Sequence, residues 1–438
     1  MHSKRNAVSS MKKILLFGAG KSATSLIRYL IEETAARGWQ LIVAENNLAL
    51  AVSKIGTASH ARAVAIQVEN QQERDLLVQE SDIVISLLPP ALHFLVAETC
   101  LVRNRHLLTA SYLDEKIRTL EPAIREKGLV FLCEMGLDPG IDHMSAMQLI
   151  HRVKEKGGHI LSFRSHTGGL VAPESDDNPW HYKISWNPRN VVMAGSAGAH
   201  YKKEGQLIHR PYEALFGNCE EVAVEGLPSL AWYPNRDSLS YIPIYELEEA
   251  ETFIRTTLRY PAFCQGWKEV VRAGLTSDQL LSQPLNGLLV REWSAPLLPY
   301  VNEANKAQLA YLGFFDAAPV PSSARSSADI LQYLLETRLQ MQPRDKDMIV
   351  MLHEITYTSA DSTARKEVTS SLIVEGEDSL YTAMAKTVGL PLGITALLIL
   401  EGRLKLKGLH IPILPEIYQP VLAALAEQGI RFREKESS

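Results

Sequence analysis

Gly18, Gly20 and Ala23, with Lys21 and Ser22 between them, stand at the G-x-G-x-x-G/A spacing of a loop that cradles a pyrophosphate. Gly18 permits the sharp turn, Gly20 lacks the Cβ that would hold a phosphate off the backbone, and Ala23 is small enough for the following helix to pack closely. The open N–H groups of that helix's first turn then face the anion. Glu45 closes the next apolar run, a little beyond the offset of about 20 residues at which a carboxylate accepts the adenosine ribose hydroxyls. A carboxylate there repels a 2′-phosphate, and Asn46 and Asn47 bring no guanidinium to offset it, so NAD is expected in preference to NADP. Glycine turns of this kind also occur without a nucleotide, and a glutamate at a strand end is often simply solvated.

A second group, Glu134, Asp138, Asp142 and His143, falls within residues 133–144, C-E-M-G-L-D-P-G-I-D-H-M. The turn Leu137-Asp138-Pro139-Gly140 feeds a helix expected from about Ile141, at the point where a first domain hands over to a second, and ligands gather at such places. The same residues also fit plain structural duty, Asp138 as a turn cap and His143 as a satisfied helix residue.

The elements that position these residues follow from apolar periodicity. Ile14, Leu15, Leu16 and Phe17 form a short continuous run suited to a strand buried on both faces, and Leu26, Ile27, Leu30 and Ile31 repeat at helical spacing. Further strands are expected at 40–44, 63–68, 82–88 (ending at Pro89-Pro90), 106–111 and 129–134, with helices at 91–104 and 114–127. Sustained alternation of this kind predicts a doubly wound parallel α/β sheet whose strand ends line a cofactor crevice. Beyond a helix ending near Lys156, a strand is expected at 160–166. A long glycine- and proline-bearing loop at 168–180 follows, of a length that is usually functional.

Composition bounds the rest. At 438 residues the chain exceeds what one core usually supports, so two or three domains are expected. A net charge of −5 argues against a nucleic-acid or anionic-lipid surface. Cys100, Cys133, Cys219 and Cys264 lie far apart with no C-x-x-C pair, which suits reduced thiols in the cytoplasm. His353-Glu354 lacks the second histidine of a metalloprotease helix, and no metal site is expected. Residues 1–11 are expected to be a disordered extension without a signal peptide. The longest apolar segment, 388–400, contains Gly389, Pro391 and Gly393 and is short for a bilayer span.

Several longer strings are far more specific than the glycine loop: 84–93 VISLLPPALH, 109–115 TASYLDE, 134–144 EMGLDPGIDHM, 168–186 GGLVAPESDDNPWHYKISW, 233–241 YPNRDSLSY, 257–263 TLRYPAF and 384–391 MAKTVGLP. Together they resemble the L-glutamate-forming saccharopine dehydrogenases (saccharopine reductases) over nearly the whole chain. The resemblance implies a dinucleotide-binding domain at 12–136 plus 384–438. It also implies a mixed α/β substrate and dimerisation domain at 137–245 plus 340–383, with a mostly helical insertion at 246–339. Helical spacing at 246–272 and 328–339, strands at 348–357 and 367–375, and a helix at 383–400 interrupted at Gly389-Leu390-Pro391 agree with that division.

The implied reaction interconverts saccharopine with L-glutamate and 2-aminoadipate 6-semialdehyde, with hydride passing between a nicotinamide and an imine carbon. The implied enzyme is a homodimer of lysine metabolism acting on a small molecule. Such a site must hold three carboxylates. Arg236, followed by Asp237 and Ser238, is the first choice for a bidentate clamp, with an ion pair to Asp237 as the plain alternative. Lys183 and Arg189 are weaker choices, either of which could be a solvated charge. Tyr112, Asp114, Glu134 and Asp138 are the groups available for proton transfer, none with the signature of an obligate base. Val68, Leu87, Leu88, Pro89, Ser111, Tyr112, Leu137, Asp138 and Pro139 carry over as cofactor or substrate contacts. The chain departs from the family at Pro90, where relatives often carry an aromatic residue. It departs again at Glu45-Asn46-Asn47, where NADP-dependent relatives carry arginine. A carboxynorspermidine or carboxyspermidine dehydrogenase and a non-catalytic dinucleotide sensor are the rival readings.

Overall fold

The computed structural model of the protein describes residues 11–281 and 287–437, so the extension expected at 1–11 lies outside the described residues except for Met11. The chain divides into two compact units, Met1–Met144 with Ala385–Gln428, and Ser145–Met384 with Gly429–Ser438.

The first unit is built on a seven-stranded sheet. Its strands include β1 (Lys13–Phe17), β2 (Gln40–Glu45), β3 (Ala61–Ala65), β4 (Ile83–Ser86), β5 (His106–Thr109) and β6 (Val130–Leu132). From one edge the order is Gly408–His410, β6, β5, β4, β1, β2, β3, and every pairing is parallel. The chain runs outward from β1 through β2 and β3 and returns to β4 beside β1, so strand order reverses there. In open α/β sheets ligands bind at that reversal. The apolar runs of β1 and β4 are buried throughout, as expected of central parallel strands.

Three expectations for this unit are corrected. The third strand runs over Ala61–Ala65 rather than 63–68, because it is an edge strand registered on β2 from Leu41↔Ala61. The helix expected at 114–127 is two short ones, Glu115–Arg118 and Glu121–Glu126, the second restarting where Pro122 fits a first turn. The apolar helix Ala383–Leu400 is continuous through Pro391 rather than interrupted, and 78% of it is buried. A Cβ at Gly389 would lie 2.8 Å from the Leu26 Cβ, so the glycine sets a close helix–helix approach.

The second unit holds a nine-stranded mixed sheet. Its main path runs Glu220–Val222, Leu230–Pro234, Thr252–Arg259, His159–Val171, Asp347–Ser359, Ser362–Glu375, Arg433–Ser437, with the hairpin Ala199–Lys203 and Gln206–Arg210 attached to Thr252–Arg259. Three further corrections belong here. Residues 246–272 are not one helix: β-branched Thr252, Ile254, Thr256 and Thr257 build a central strand, and Pro261 starts the helix Pro261–Arg272. Gly168 and Gly169 do not open a loop but lie within the strand His159–Val171. A Cβ at Gly168 would sit 2.6 Å from the Leu258 Cβ on the neighbouring strand. The last residues, Arg433–Ser437, pair with Ser362–Glu375, so the tail returns to this sheet rather than to the dinucleotide-binding unit. Around Trp180, Trp267 and Phe263 the helices Pro261–Arg272, Lys306–Tyr311 and Ser327–Arg338 share one apolar core.

Candidate functional site

The glycine loop leaves β1 with Gly18 at φ +96°, a conformation that only glycine adopts without strain, and a Cβ there would meet the Leu87 carbonyl at 2.8 Å. Gly20 differs: a Cβ at that position would have no heavy atom within 4 Å, and Gly20 and Lys21 are exposed. The loop therefore presents open space against its backbone, a cradle that fits a pyrophosphate. Ser22 and Ala23 complete the turn within the short 3₁₀ segment Lys21–Ala23, ahead of the helix Thr24–Arg37. Glu45 reaches back to this loop, its Oε2 accepting the Ala19 amide at 2.7 Å and its Oε1 the Asn47 amide at 3.3 Å, while Asn46 beside it is exposed. Lys54, which the sequence reading did not single out, donates to the Gly20 carbonyl at 2.6 Å and the Thr24 hydroxyl at 2.8 Å. Burial pulls its ammonium down to about 8, opposed by the Glu45 charge.

The ends of β4 and β5 carry a polar cluster. His93, buried at the start of the helix His93–Arg103, has Nδ1 2.9 Å from Ser86 Oγ and Nε2 2.7 Å from Ser111 Oγ. Burial holds the imidazole down at about 4 against the opposing field of Asp114, so it is neutral at ordinary pH. Leu87 and Leu88 are half-buried and Pro89 is exposed just beyond β4, while the Val68 carbonyl accepts from the buried Arg74 guanidinium.

Next along the chain the Tyr112 hydroxyl donates to Asp138 Oδ1 at 3.1 Å. Glu134 is buried with φ +60°. Its Oε1 accepts the Leu113 amide at 3.0 Å, bracing the segment that carries Ser111 and Tyr112, and its Oε2 lies 2.8 Å from His143 Nε2 on the helix Ile141–Glu155. Asp114 is exposed and caps Glu115–Arg118 through the Lys116 amide at 2.6 Å. The turn at 136–142 is a backbone knot. Gly136 N–H donates to the Pro139 carbonyl at 3.0 Å, Ile141 to Gly136 at 2.9 Å and Asp142 to Leu137 at 3.0 Å. Asp142 caps this turn, accepting the Gly140 amide at 2.6 Å.

In the second unit Lys183 is 5% exposed and donates to Asp177 Oδ2 at 2.8 Å and Asp345 Oδ2 at 2.7 Å. Burial lowers its pKa, but these two hydrogen bonds outweigh that and leave it raised. Two carboxylates hold its charge, which corrects its reading as a solvated strand-end cation. Arg189 pairs with Asp329 at 2.8 Å. Arg236 is exposed with φ +48°. Asp237 Oδ1 accepts the Leu239 amide at 2.8 Å, and Ser238 Oγ accepts the Arg255 amide at 3.0 Å. Asp237 and Ser238 thus shape the loop that presents Arg236.

Arg259 is the cation that sequence reasoning missed, although it stands inside the quoted string 257–263. It is 4% exposed, lies 5.3 Å over the Tyr182 ring and 5.4 Å over the Phe263 ring, and donates Nη1 to the Leu258 carbonyl at 2.8 Å. Among the described residues it pairs with no carboxylate, and its Nε has no acceptor. A guanidinium stays charged when buried and demands an anion.

Residues 14–132 match the saccharopine dehydrogenase NADP binding domain, and residues 136–430 match the saccharopine dehydrogenase C-terminal domain. The chain belongs to the saccharopine dehydrogenase family. It is 32% identical over 453 residues to the saccharopine dehydrogenase (NADP(+), L-glutamate-forming) of Saccharomyces cerevisiae, covering 97% of this chain and 99% of that one. It is 36% identical over 431 residues to the alpha-aminoadipic semialdehyde synthase of Arabidopsis thaliana, covering 90% of this chain and 40% of the synthase. The chain thus spans less than half the length of that relative. The solved apo structure of the saccharopine dehydrogenase (L-Glu forming) from Saccharomyces cerevisiae superposes with a TM-score of 0.87 at 32% identity, covering 98% of this chain and 100% of that one. The homospermidine synthase of Legionella pneumophila in complex with NAD shares the fold, with a TM-score of 0.59 at 10% identity.

Within this saccharopine dehydrogenase scaffold the structure brings together the glycine loop, Leu87 and Glu45, then Ser111 with His93, then Tyr112 with Asp138. It sets Asp114 apart as a surface cap.

Proposed function

We propose that the protein is an NAD(P)-dependent saccharopine dehydrogenase of the L-glutamate-forming type, interconverting saccharopine with L-glutamate and 2-aminoadipate 6-semialdehyde. The observation that carries the substrate class is Arg259, a buried guanidinium with no carboxylate partner among the described residues. A substrate bearing several carboxylates supplies the missing anion, whereas the polyamine arm of a carboxyspermidine would bring a second cation beside it. Arg236, held out on its loop, is the second clamp in this reading.

The cofactor's phosphates fit the Gly18–Ala23 loop and its ribose fits Glu45; when bound, the nicotinamide supplies or accepts the hydride. The chain's own residues do the rest. Tyr112, hydrogen-bonded to Asp138, exchanges a proton with the substrate amine nitrogen during condensation and hydrolysis. Glu134, with both oxygens engaged, is a positioning residue for that segment rather than a proton donor. Glu45 favours NAD over NADP by placing a carboxylate against the loop, and Lys54 softens that preference from the other side of the loop. The working form we propose is a cytoplasmic homodimer. Light scattering checks the assembly against a mass of twice 48.7 kDa.

The deciding assay is steady-state oxidation of NADH and NADPH with L-glutamate plus 2-aminoadipate semialdehyde, run beside putrescine or diaminopropane plus aspartate semialdehyde. Turnover of the first pair is expected. Turnover of the second alone would make the protein a polyamine enzyme, and turnover of neither would make it a sensor.

A further inference from the structure

The hairpin formed by Ala199–Lys203 and Gln206–Arg210 sets two histidines against each other. Its turn, Glu204-Gly205, has φ +51° and +77°, positive at both positions as a tight two-residue hairpin turn requires. That turn fixes the register: Lys203 faces Gln206, Lys202 faces Leu207, Tyr201 faces Ile208 and His200 faces His209. The pair closing such a turn exchanges hydrogen bonds, and alternation along the ladder then makes His200 and His209 a pair that does not. The backbone agrees, since the His200 N–H donates to the Arg236 carbonyl at 2.9 Å and its carbonyl accepts the Ser238 amide at 2.8 Å, both on its other edge. Side chains approach most closely at pairs without hydrogen bonds. Here the two imidazoles stack, with centroids 4.4 Å apart and planes 14° from parallel.

Both residues are exposed, and among the described residues neither ring has a hydrogen-bond or ion-pair partner. Histidines elsewhere in the fold are engaged: His93 with Ser86 and Ser111, His143 with Glu134, His166 with Thr256 and Glu354, and His181 with Asp176. On the same hairpin Lys202 is tied to the Glu248 carbonyl at 3.2 Å, and Asp237 is the bridge partner of His200 on its other edge. Two imidazole nitrogens bound to one ion at about 2.0–2.1 Å set the ring centres about 5 Å apart, so the stacked pair has to splay by only about half an ångström.

We propose that His200 and His209 form a two-imidazole site for a divalent transition-metal ion, Zn²⁺, Cu²⁺ or Ni²⁺, separate from the side chains assigned to substrate and cofactor. Imidazole suits these ions, whereas Mg²⁺ and Ca²⁺ take oxygen ligands. Among the described residues no three His, Cys, Asp or Glu side chains are grouped to hold a metal, so water completes the coordination of an ion held by two rings. The ion ties the two strands together at the end away from the turn, on the strand to which residues 236–238 are bonded. The histidines are nine residues apart, and only the hairpin register joins them, which is why the sequence reading expected no metal site.

The test is calorimetric titration of the full-length, untagged protein with Ni²⁺ at neutral pH, in the wild type, His200→Asn and His209→Asn. The wild type is expected to show a Ni²⁺ site that each substitution weakens by at least about tenfold, because losing either ring forfeits the effective concentration of the second. Superimposable titrations of the three chains, or weakening by one substitution alone, would overturn the proposal. A second measurement needs no variant: diethylpyrocarbonate modification of the wild type, mapped by peptide mass with and without Ni²⁺. Slowed modification of both His200 and His209 is expected, and unchanged rates at either residue would also overturn it.

Discussion

Replacing Arg259 with methionine should separate activity from stability. In the free protein the guanidinium carries a desolvation cost of several kcal/mol, because it is 4% exposed and faces no carboxylate among the described residues. Against that stand two cation–π contacts, each about 1–2 kcal/mol when desolvated, to Tyr182 and Phe263. A charge-assisted hydrogen bond to the Leu258 carbonyl adds about 1.5–3 kcal/mol. These offset one another closely, and methionine fills similar volume with no charge to desolvate. The expected change in unfolding free energy is therefore below about 1 kcal/mol, read from urea midpoints at constant m-value. The substrate complex behaves differently. Removing one partner of a buried, hydrogen-bonded charge pair costs about 2–5 kcal/mol, a loss of roughly 30- to 4,000-fold in kcat/KM for glutamate plus semialdehyde. Arg259→Lys should fall between, since an ammonium keeps the charge but loses the planar fork. A kcat/KM within about threefold of wild type would refute the reasoning, and so would a stability loss as large as the loss in catalysis.

The other expectations are shorter. Gly20→Ala places a methyl in open space, so the thermal midpoint should stay put while the dinucleotide Kd, measured by calorimetry, rises at least about tenfold; an unchanged Kd would remove the loop from the cofactor site. Glu45→Arg should move the NADPH/NADH ratio of kcat/KM upward by at least about tenfold, and NADPH turnover equal to NADH in the wild type would refute the NAD preference. His93 is held neutral by burial with its pKa near 4, so between pH 6.5 and 4 the unfolded chain binds a proton that the folded one refuses. Stability present above pH 6.5 should therefore fall by about 3 kcal/mol across that window, and His93→Gln should flatten this acid limb; an unchanged slope would mean the imidazole is not buried uncharged.

What the sequence makes legible, and what it hides, follows from how far apart the interacting groups lie. The strand, loop and helix from Lys13 to Arg37 are read correctly because an apolar run, a glycine spacing and a helical repeat sit side by side. Residues 252–259 mislead because Phe253, Ile254 and Leu258 satisfy a helical period as readily as a strand, and only tertiary pairing with His159–Val171 decides. Gly168 and Gly169 look like a loop because their reason for being glycine, the neighbouring strand and helix, lies far away in the chain.

The same holds for charge. Lys183, Arg236 and Arg259 are indistinguishable as letters, and each could clamp a carboxylate. The structure separates them by their surroundings: Lys183 meets Asp177 six residues away and Asp345 162 residues away in the sequence, while Arg259 is stacked on aromatic rings with no carboxylate paired to it among the described residues. A cation whose counter-ion is folded in is structural, and one whose counter-ion is missing is waiting for it. Local sequence supplies at most the nearest partner, so neither condition can be read before the chain is closed. That is why Arg259, the residue on which the substrate assignment turns, stood unremarked inside a string recognised for other reasons.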